Sequence, residues 1–176
     1  MSDELRTLIA ETQETFRTDP AEAQATFESV SSLGEGFRSD VTLRDHRLVV
    51  DEPESLGGTD TGPNPVELIL AALGTCQEIT YRAYAAAMGI PLEHVSVTLE
   101  GDIDLRGFFA VDESVRPGYQ KLRGTVRVVS SADRETLATL QQAVNAHCPV
   151  LDIVSNPVPV ELTLEKTESA GAEAAE

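Results

Sequence analysis

The sequence predicts an α+β sandwich in which antiparallel strands cover one long central helix. A nearly continuous apolar stretch over residues 65–88 indicates the central helix. Before and after it, apolar and polar residues alternate at period two, as in strands of a sheet with one buried face. A further helical stretch near the carboxyl end completes the order α-βββ-α-ββ-α-β, which is typical of helices packed on a sheet.

An amphipathic helix is predicted at the amino end, over residues 2–17. Ser2 is a suitable N-cap, and the apolar residues that follow recur at helical spacing on one stripe. Asp19-Pro20 ends the helix, because proline cannot continue it. We expect residues 1–20 to form an accessory helix packed on the domain or on a partner subunit, and residues 21–166 to form the domain itself.

Six strands are predicted from the alternating segments. They are expected at residues 23–28, 37–44, 47–50, 95–100, 122–128 and 157–164. The first three should form an antiparallel meander with one solvent-facing side. All six are expected in a single sheet that covers one side of the central helix.

The central helix carries local signals at both ends. Asn64 can cap it, Pro65 suits the first helical position, and Glu67 places a carboxylate where the helix dipole favours one. Gly89 is a suitable C-cap. The first half of the helix, residues 68–73, is apolar on every face and should therefore be buried on every side. One sheet cannot supply that cover, so a second copy of the chain is expected on the other side.

Two connecting segments are expected to be irregular. The loop from Asp51 to Asn64 is long and rich in glycine and proline, and long loops in small domains are more often functional than idle. Its acidic side chains are expected to be solvated. The second segment, residues 102–118, carries Phe108 and Phe109, which either wall an apolar cavity or form a subunit contact.

The chain has two cysteines, Cys76 inside the central helix and Cys148 at the end of a second long helix that begins near Asp133 and is broken by Pro149. Two cysteines are too few for a disulfide framework, so they are either buried small hydrophobes or a redox pair. A metal site is not expected, because the chain has only His46, His94 and His147 and its two cysteines do not form a Cys-x-x-Cys pair. His147 instead suits the carboxyl end of a helix, where the dipole favours it.

The chain is strongly acidic, with 30 Asp and Glu against 13 Lys and Arg and a formal net charge of −17. Such a surface repels nucleic acid and anionic membranes, which excludes both as main partners. The shortage of lysine indicates either adaptation to high salt or an ordinary acidic protein with an acidic tail. The amino end lacks the basic start of a signal peptide, so a cytoplasmic protein is expected. Residues 167–176 are expected to be a disordered tail.

Two motifs carry a family resemblance. They are Gly62-Pro63-Asn64-Pro65-Val66-Glu67-Leu68 followed by Ala71-Ala72-Leu73-Gly74-Thr75-Cys76, and the distant Cys148-Pro149-Val150. With the strand order, they resemble the OsmC and organic hydroperoxide resistance family over roughly residues 22–166. The resemblance implies an OsmC-like sandwich and an intertwined homodimer with two antiparallel central helices.

The same resemblance implies thiol-dependent reduction of organic hydroperoxides in defence against oxidative stress. By resemblance, Cys76 attacks the hydroperoxide and Cys148 resolves the product as a disulfide. The reductant would be a dithiol, for example a lipoylated protein, and no metal, haem, flavin or other cofactor is implied. This chemistry requires the two cysteine Cα atoms to lie within about 4.4–6.8 Å of each other.

The chain departs from the family pattern near the start of the central helix. In the peroxidases of the family, a glutamate directly after Asn-Pro holds an activating arginine. Here that position is Val66, and the carboxylate is Glu67, about 100° further round the helix. Residues 51–63 contain no arginine. Besides the partner subunit, the candidates are Arg38, Arg44 and Arg47.

Glu67 is therefore either an arginine-orienting site residue or only a helix cap. The departure keeps a second hypothesis open, in which a dimer of this fold binds an apolar small molecule without peroxidase turnover.

Overall fold

The computed structural model of the chain describes residues 2–167. The helices are α1 (Ser2–Thr18), α2 (Pro65–Met88), α3 (Leu105–Phe108), α4 (Arg134–His147) and α5 (Pro149–Ser155). The strands are β1 (Val30–Leu33), β2 (Ser39–Leu43), β3 (His46–Val50), β4 (His94–Ile103) and β5 (Tyr119–Val129). The tail predicted over residues 167–176 falls, from residue 168 onward, outside the described residues.

The long helix α2 begins and ends at the positions that its capping residues, Asn64 and Gly89, predict. The Asn64 side chain accepts a hydrogen bond from the Glu67 N–H at 2.9 Å, and the Glu67 carboxylate accepts one from the Asn64 N–H at 2.9 Å. This reciprocal pair is a capping box, which satisfies two otherwise unpaired backbone donors. At the other end, Gly89 adopts the left-handed conformation with a φ of 67° and donates its N–H to the carbonyls of Ala85 and Ala86.

The strands form two antiparallel sheets rather than one. In the described residues, β1, β2 and β3 pair in that order, and β4 pairs with β5. The β4–β5 sheet packs on α2, whereas the first sheet makes no extensive contact with any described helix. The prediction of a single six-stranded sheet is therefore wrong, because only two strands of the chain cover its own central helix.

The first and last predicted strands are not formed. Pairing begins at Val30 rather than within residues 23–28, and residues 157–164 have no regular structure. The alternating apolar side chains of the last segment are exposed, from 54% at Val158 to 96% at Leu164. An extended segment needs a neighbouring strand edge to satisfy its backbone hydrogen bonds. Within the described chain, no strand pairs with either segment.

The register of β4 and β5 sorts their side chains between the two faces of the sheet. Val97 lies opposite Val126 on the face toward α2, and Glu100 lies opposite Arg123 on the outer face. One guanidinium nitrogen of Arg123 lies 2.9 Å from a Glu100 carboxylate oxygen, and the other pairs with Asp102. The charge of Arg123 is thus balanced within the sheet.

The compact core lies at the second half of α2. Tyr81 and Ala85 of this helix pack against Leu140 and Val144 of α4, and apolar residues of β4 and β5 surround them. The first half of α2 was predicted to be buried on every side, but in a single chain one side of it is exposed. Ile69 is 44% exposed and Ile79, further along the same helix, is 69% exposed.

The segments after these elements differ from the predictions in two places. Pro149 does end α4 at His147, but it also begins α5, because proline suits the first position of a helix. Residues 102–118 contain the single turn α3, in which the Arg106 side chain is held by Asp104 at 2.6 Å and by Asp112 at 3.3 Å. Phe108 and Phe109 are 67% and 55% exposed, so they wall no cavity in a single chain.

The loop before α2 is organised around a buried carboxylate. Asp51 is 1% exposed, and its carboxylate accepts hydrogen bonds from the N–H and hydroxyl groups of both Thr59 and Thr61 and from the Glu52 N–H. These donors, led by the Thr59 hydroxyl, hold the pKa of Asp51 well below its ordinary range. The expectation that the acidic side chains of this loop are solvated is therefore wrong for Asp51.

Two glycines allow the loop to fold back so closely. A Cβ atom at Gly58 would lie 1.9 Å from the Glu52 carbonyl oxygen, and one at Gly62 would lie 2.3 Å from the Val49 carbonyl oxygen. Neither position can take a side chain without moving the backbone.

Replacing Asp51 by Asn is expected to lower the melting temperature by several degrees at pH 7. Asn would turn an NH₂ group toward donors that need an acceptor. Because the pKa of Asp51 is depressed in the folded state, its contribution is present above the ordinary value of 3.8 and is lost as pH falls below it. The difference in melting temperature between the wild-type protein and Asp51→Asn should therefore become smaller in acid. Asp60→Asn, an exposed change in the same loop, is the matched control; an equal effect there would contradict the assignment.

None of the helices in the described part of the chain is long and apolar enough to cross a membrane.

Candidate functional site

The two cysteines meet in the structure. Cys76 lies in the middle of α2, and Cys148 lies at the junction where α4 ends and α5 begins. Both are free thiols, and the Cys148 Sγ donates a hydrogen bond to the Cys76 Sγ at 3.4 Å. The junction arises because Pro149 cannot continue α4, which leaves the Cys148 side chain facing α2.

The two thiols differ in exposure. Cys148 is 1% exposed, whereas Cys76 is only partly buried. Of the two cysteines, Cys76 is therefore the more accessible to a molecule that approaches from solvent.

The surroundings of Cys76 favour the protonated thiol. Burial raises its pKa most, and the neighbouring Cys148 raises it further. The Val150 N–H, in the first turn of α5, and the Thr80 hydroxyl act in the opposite direction. No cationic side chain of the described residues contributes to this balance.

Thr80 holds the site from one turn further along α2. It is 7% exposed, and its hydroxyl donates to the Cys76 carbonyl oxygen at 2.7 Å. The one proton of this hydroxyl can turn from the carbonyl oxygen to the Cys76 sulfur when the thiol ionises, and this contact lowers the pKa of Cys76. Thr80→Val is therefore expected to raise that pKa and to slow alkylation of Cys76 at pH 8 about two- to fivefold. Thr80→Ser, which keeps the hydroxyl, should react at the wild-type rate. Equal rates for all three proteins would contradict the assignment.

Glu67 lies away from the two thiols. It precedes Cys76 by nine residues, which is about 13.5 Å along the axis of a helix. Its carboxylate closes the capping box with Asn64, and its charge contributes to raising the pKa of Tyr119, after burial. No arginine of the described chain pairs with it. Its predicted role in orienting an arginine stays a prediction that needs a second subunit.

The candidate arginines belong to the first sheet or its turn. Arg38 precedes β2 and pairs with Asp40 at 3.1 Å, Arg44 follows β2, and Arg47 lies in β3. Because this sheet makes no extensive contact with the helices, none of the three is brought to Cys76 within one chain.

Two cavities flank α2. The larger, of about 280 Å³, lies between α2, the β4–β5 sheet and the start of α5, and includes Leu73, Gln77 and Leu151 in its lining. The smaller, of about 210 Å³, lies between α2 and β4. Sequence reasoning missed Gln77, although a polar residue spaced four positions from both Leu73 and Tyr81 on a buried face was a usable signal.

Residues that could suggest a metal site have other roles. The His147 Nδ1 lies 2.8 Å from the Ala143 carbonyl oxygen, and its ring stacks on Tyr84 with centroids 5.0 Å apart. Among the described residues, no group of three or more His, Cys, Asp or Glu side chains is placed to hold a metal ion.

Comparison with known families gives one match. The sequence profile described as "OsmC-like protein" matches residues 58–163, a span that includes both cysteines and the helix between the two cavities. No curated protein sequence matches the chain.

Solved structures similar to this chain share its fold at low sequence identity. An OsmC-like protein from Mycoplasma pneumoniae has a TM-score of 0.66 and 14% identity, covering 76% of this chain and 90% of its own. An organic hydroperoxide resistance protein OsmC from Legionella pneumophila has a TM-score of 0.58 and 21% identity, with coverages of 74% and 89%. A putative organic hydroperoxide resistance protein from Vibrio cholerae, solved with captopril in one active site, has a TM-score of 0.56 and 19% identity, with coverages of 76% and 86%.

Proposed function

This chain belongs to the OsmC-like protein family, and from that premise we propose that it is a thiol-dependent peroxidase that reduces organic hydroperoxides. The observation that carries the proposal is the 3.4 Å contact between the Sγ atoms of Cys76 and Cys148. The similar structures from Legionella pneumophila and Vibrio cholerae bear the name of organic hydroperoxide resistance proteins, which supports the same reaction class.

Cys76 is the attacking thiol, because it is the more exposed of the two. Its thiolate attacks the distal oxygen of the hydroperoxide and breaks the O–O bond. The alkoxide takes a proton and leaves as the alcohol, and the Cys76 sulfur becomes a sulfenic acid.

Cys148 completes the reaction as the resolving thiol. Its sulfur attacks the sulfenic acid, water leaves, and a disulfide forms between the two residues. The sulfurs must approach from 3.4 Å to about 2.05 Å, a movement within reach of side-chain rotation. A dithiol, by family resemblance a lipoylated protein, then restores both thiols and is itself oxidised to a disulfide.

A second copy of the chain would supply what one chain lacks. The exposed face of α2, the uncovered first sheet and the unpaired segment 157–164 all carry apolar side chains that are exposed in one chain. In a homodimer, the first sheet of one subunit would cover the other's helix and bring an arginine from that sheet toward Cys76. A cation there would lower the pKa that burial raises.

The test is consumption of cumene hydroperoxide in the presence of dithiothreitol or dihydrolipoamide. We expect catalytic turnover by the wild-type protein and none after both thiols are blocked with N-ethylmaleimide. If untreated protein consumes no more peroxide than the blocked protein, the chain is not a peroxidase. In that case Cys76 should also alkylate slowly at neutral pH, as a buried thiol without activation does.

A further inference from the structure

The larger cavity beside α2 has a lining that the dithiol reaction does not use. Neither Cys76 nor Cys148 lines it. Most of its wall is apolar, contributed by Leu73, Val97, Leu99, Leu122, Val126 and Leu151. The cavity therefore offers a separate, mainly apolar surface on the side of the helix that faces the sheet.

A buried amide without a partner lies in this wall. Gln77 is 6% exposed, and no described group hydrogen-bonds its side chain. No fully enclosed polar side-chain atom of the described residues lacks a partner, so the small accessible part of the Gln77 amide reaches the open space of the cavity. An amide in this position destabilises the fold unless water or a ligand in the cavity completes its hydrogen bonds.

The charge around the cavity is unfavourable to anions. Arg123 is the one basic residue in the lining, and it is already paired with Glu100 and Asp102 on the outer face of the sheet. These three side chains together carry one net negative charge. An anionic ligand would meet no free cation in the lining, so a neutral molecule is favoured.

The volume limits the size of the occupant. An apolar cavity of about 150 Å³ binds benzene, so the cavity of about 280 Å³ has room for an aromatic ring and a few further non-hydrogen atoms. An aromatic ring with a short branched substituent fills this volume, whereas only part of a long acyl chain would lie inside it.

We propose that this cavity is a binding site for a neutral, compact aryl or branched alkyl molecule whose single oxygen function hydrogen-bonds the Gln77 amide. The site is independent of turnover at Cys76, because the bound group contacts α2 and the sheet rather than the sulfurs. A hydroperoxide, its alcohol product or another neutral alcohol would each offer an oxygen that hydrogen-bonds the Gln77 amide.

The binding test uses 2-phenyl-2-propanol, an unreactive alcohol of suitable size, with the wild-type protein. We expect saturable binding with a Kd of about 1 mM or below, observed as shifts of the Gln77 side-chain NH₂ signals in ¹H–¹⁵N spectra. Benzoate, which is similar in size but anionic, should bind at least about tenfold more weakly.

The variant Gln77→Leu separates ligand binding from a structural role. Removing an unpartnered buried amide should leave the melting temperature equal or raise it, while affinity for the alcohol falls about five- to tenfold. Gln142→Leu, the same change at an exposed position of α4, is the matched control and should leave affinity unchanged.

Three outcomes would overturn the proposal. They are no saturable binding up to about 10 mM, equal affinity of the wild-type and Gln77→Leu proteins, or a melting temperature several degrees lower in that variant, which would show that the amide is structurally bonded. Failure of peroxide turnover with alcohol binding intact would remove the peroxidase proposal alone.

Discussion

Replacing Cys76 by Ser is expected to reduce hydroperoxide consumption by about a thousandfold or more, to the rate of the dithiol alone. The reason is chemical, because a serine hydroxyl is not ionised near neutral pH and forms no sulfenic acid. The measurement is the initial rate with cumene hydroperoxide and a saturating dithiol. The Ser side chain is close in size to Cys, so the melting temperature should change little and a folding defect can be excluded directly.

Replacing Cys148 by Ser should give a different kinetic pattern. The first equivalent of peroxide should still be consumed, because Cys76 remains, but no intramolecular disulfide can form. Cys76 then stays as a sulfenic acid and is oxidised further by excess peroxide, so steady-state turnover should fall at least about tenfold. If both variants lost the first turnover equally, the division of roles between the two thiols would be wrong.

The second large effect concerns assembly. Ile79 is 69% exposed on α2, one helical turn beyond Cys76. If this face meets a second copy, Ile79→Arg replaces an apolar contact worth about 1.5–3 kcal/mol with a charge, and two-fold symmetry doubles the loss. We expect the dimer dissociation constant to rise at least about a hundredfold, and peroxide turnover to fall with it.

Size-exclusion chromatography with light scattering measures this effect. The wild-type protein should give twice the chain mass of 18.9 kDa at low micromolar concentration, and Ile79→Arg should give one chain mass. The control is Val129→Arg, an exposed apolar position at the end of β5. A wild-type protein that is a stable monomer would contradict the proposed shared site.

The capping residues in the sequence correctly predicted where the central helix begins and ends. The position of α2 followed from Asn64, Pro65 and Gly89, because caps act on neighbouring backbone groups within one turn. The contact between the two cysteines was expected only through the family resemblance. No pattern in the intervening 71 residues specifies how α4 and α2 pack.

The sequence-based predictions were wrong where the structure depends on residues that are far away in the sequence. Residues 157–164 have the alternation of a strand, but alternation does not supply the second strand on which pairing depends. The burial of Asp51 was missed because its donors, Thr59 and Thr61, approach only after the loop folds back at Gly58 and Gly62. In each case the deciding contact lies between residues whose proximity the local sequence does not encode.

The most direct test of the dithiol mechanism is the mass of the protein after one equivalent of cumene hydroperoxide without reductant. Formation of a disulfide should lower the intact mass by about 2 Da, and digestion should yield a peptide pair that links Cys76 to Cys148. Free Cys148 together with a gain of about 16 or 32 Da at Cys76, or an unchanged mass, would contradict the mechanism.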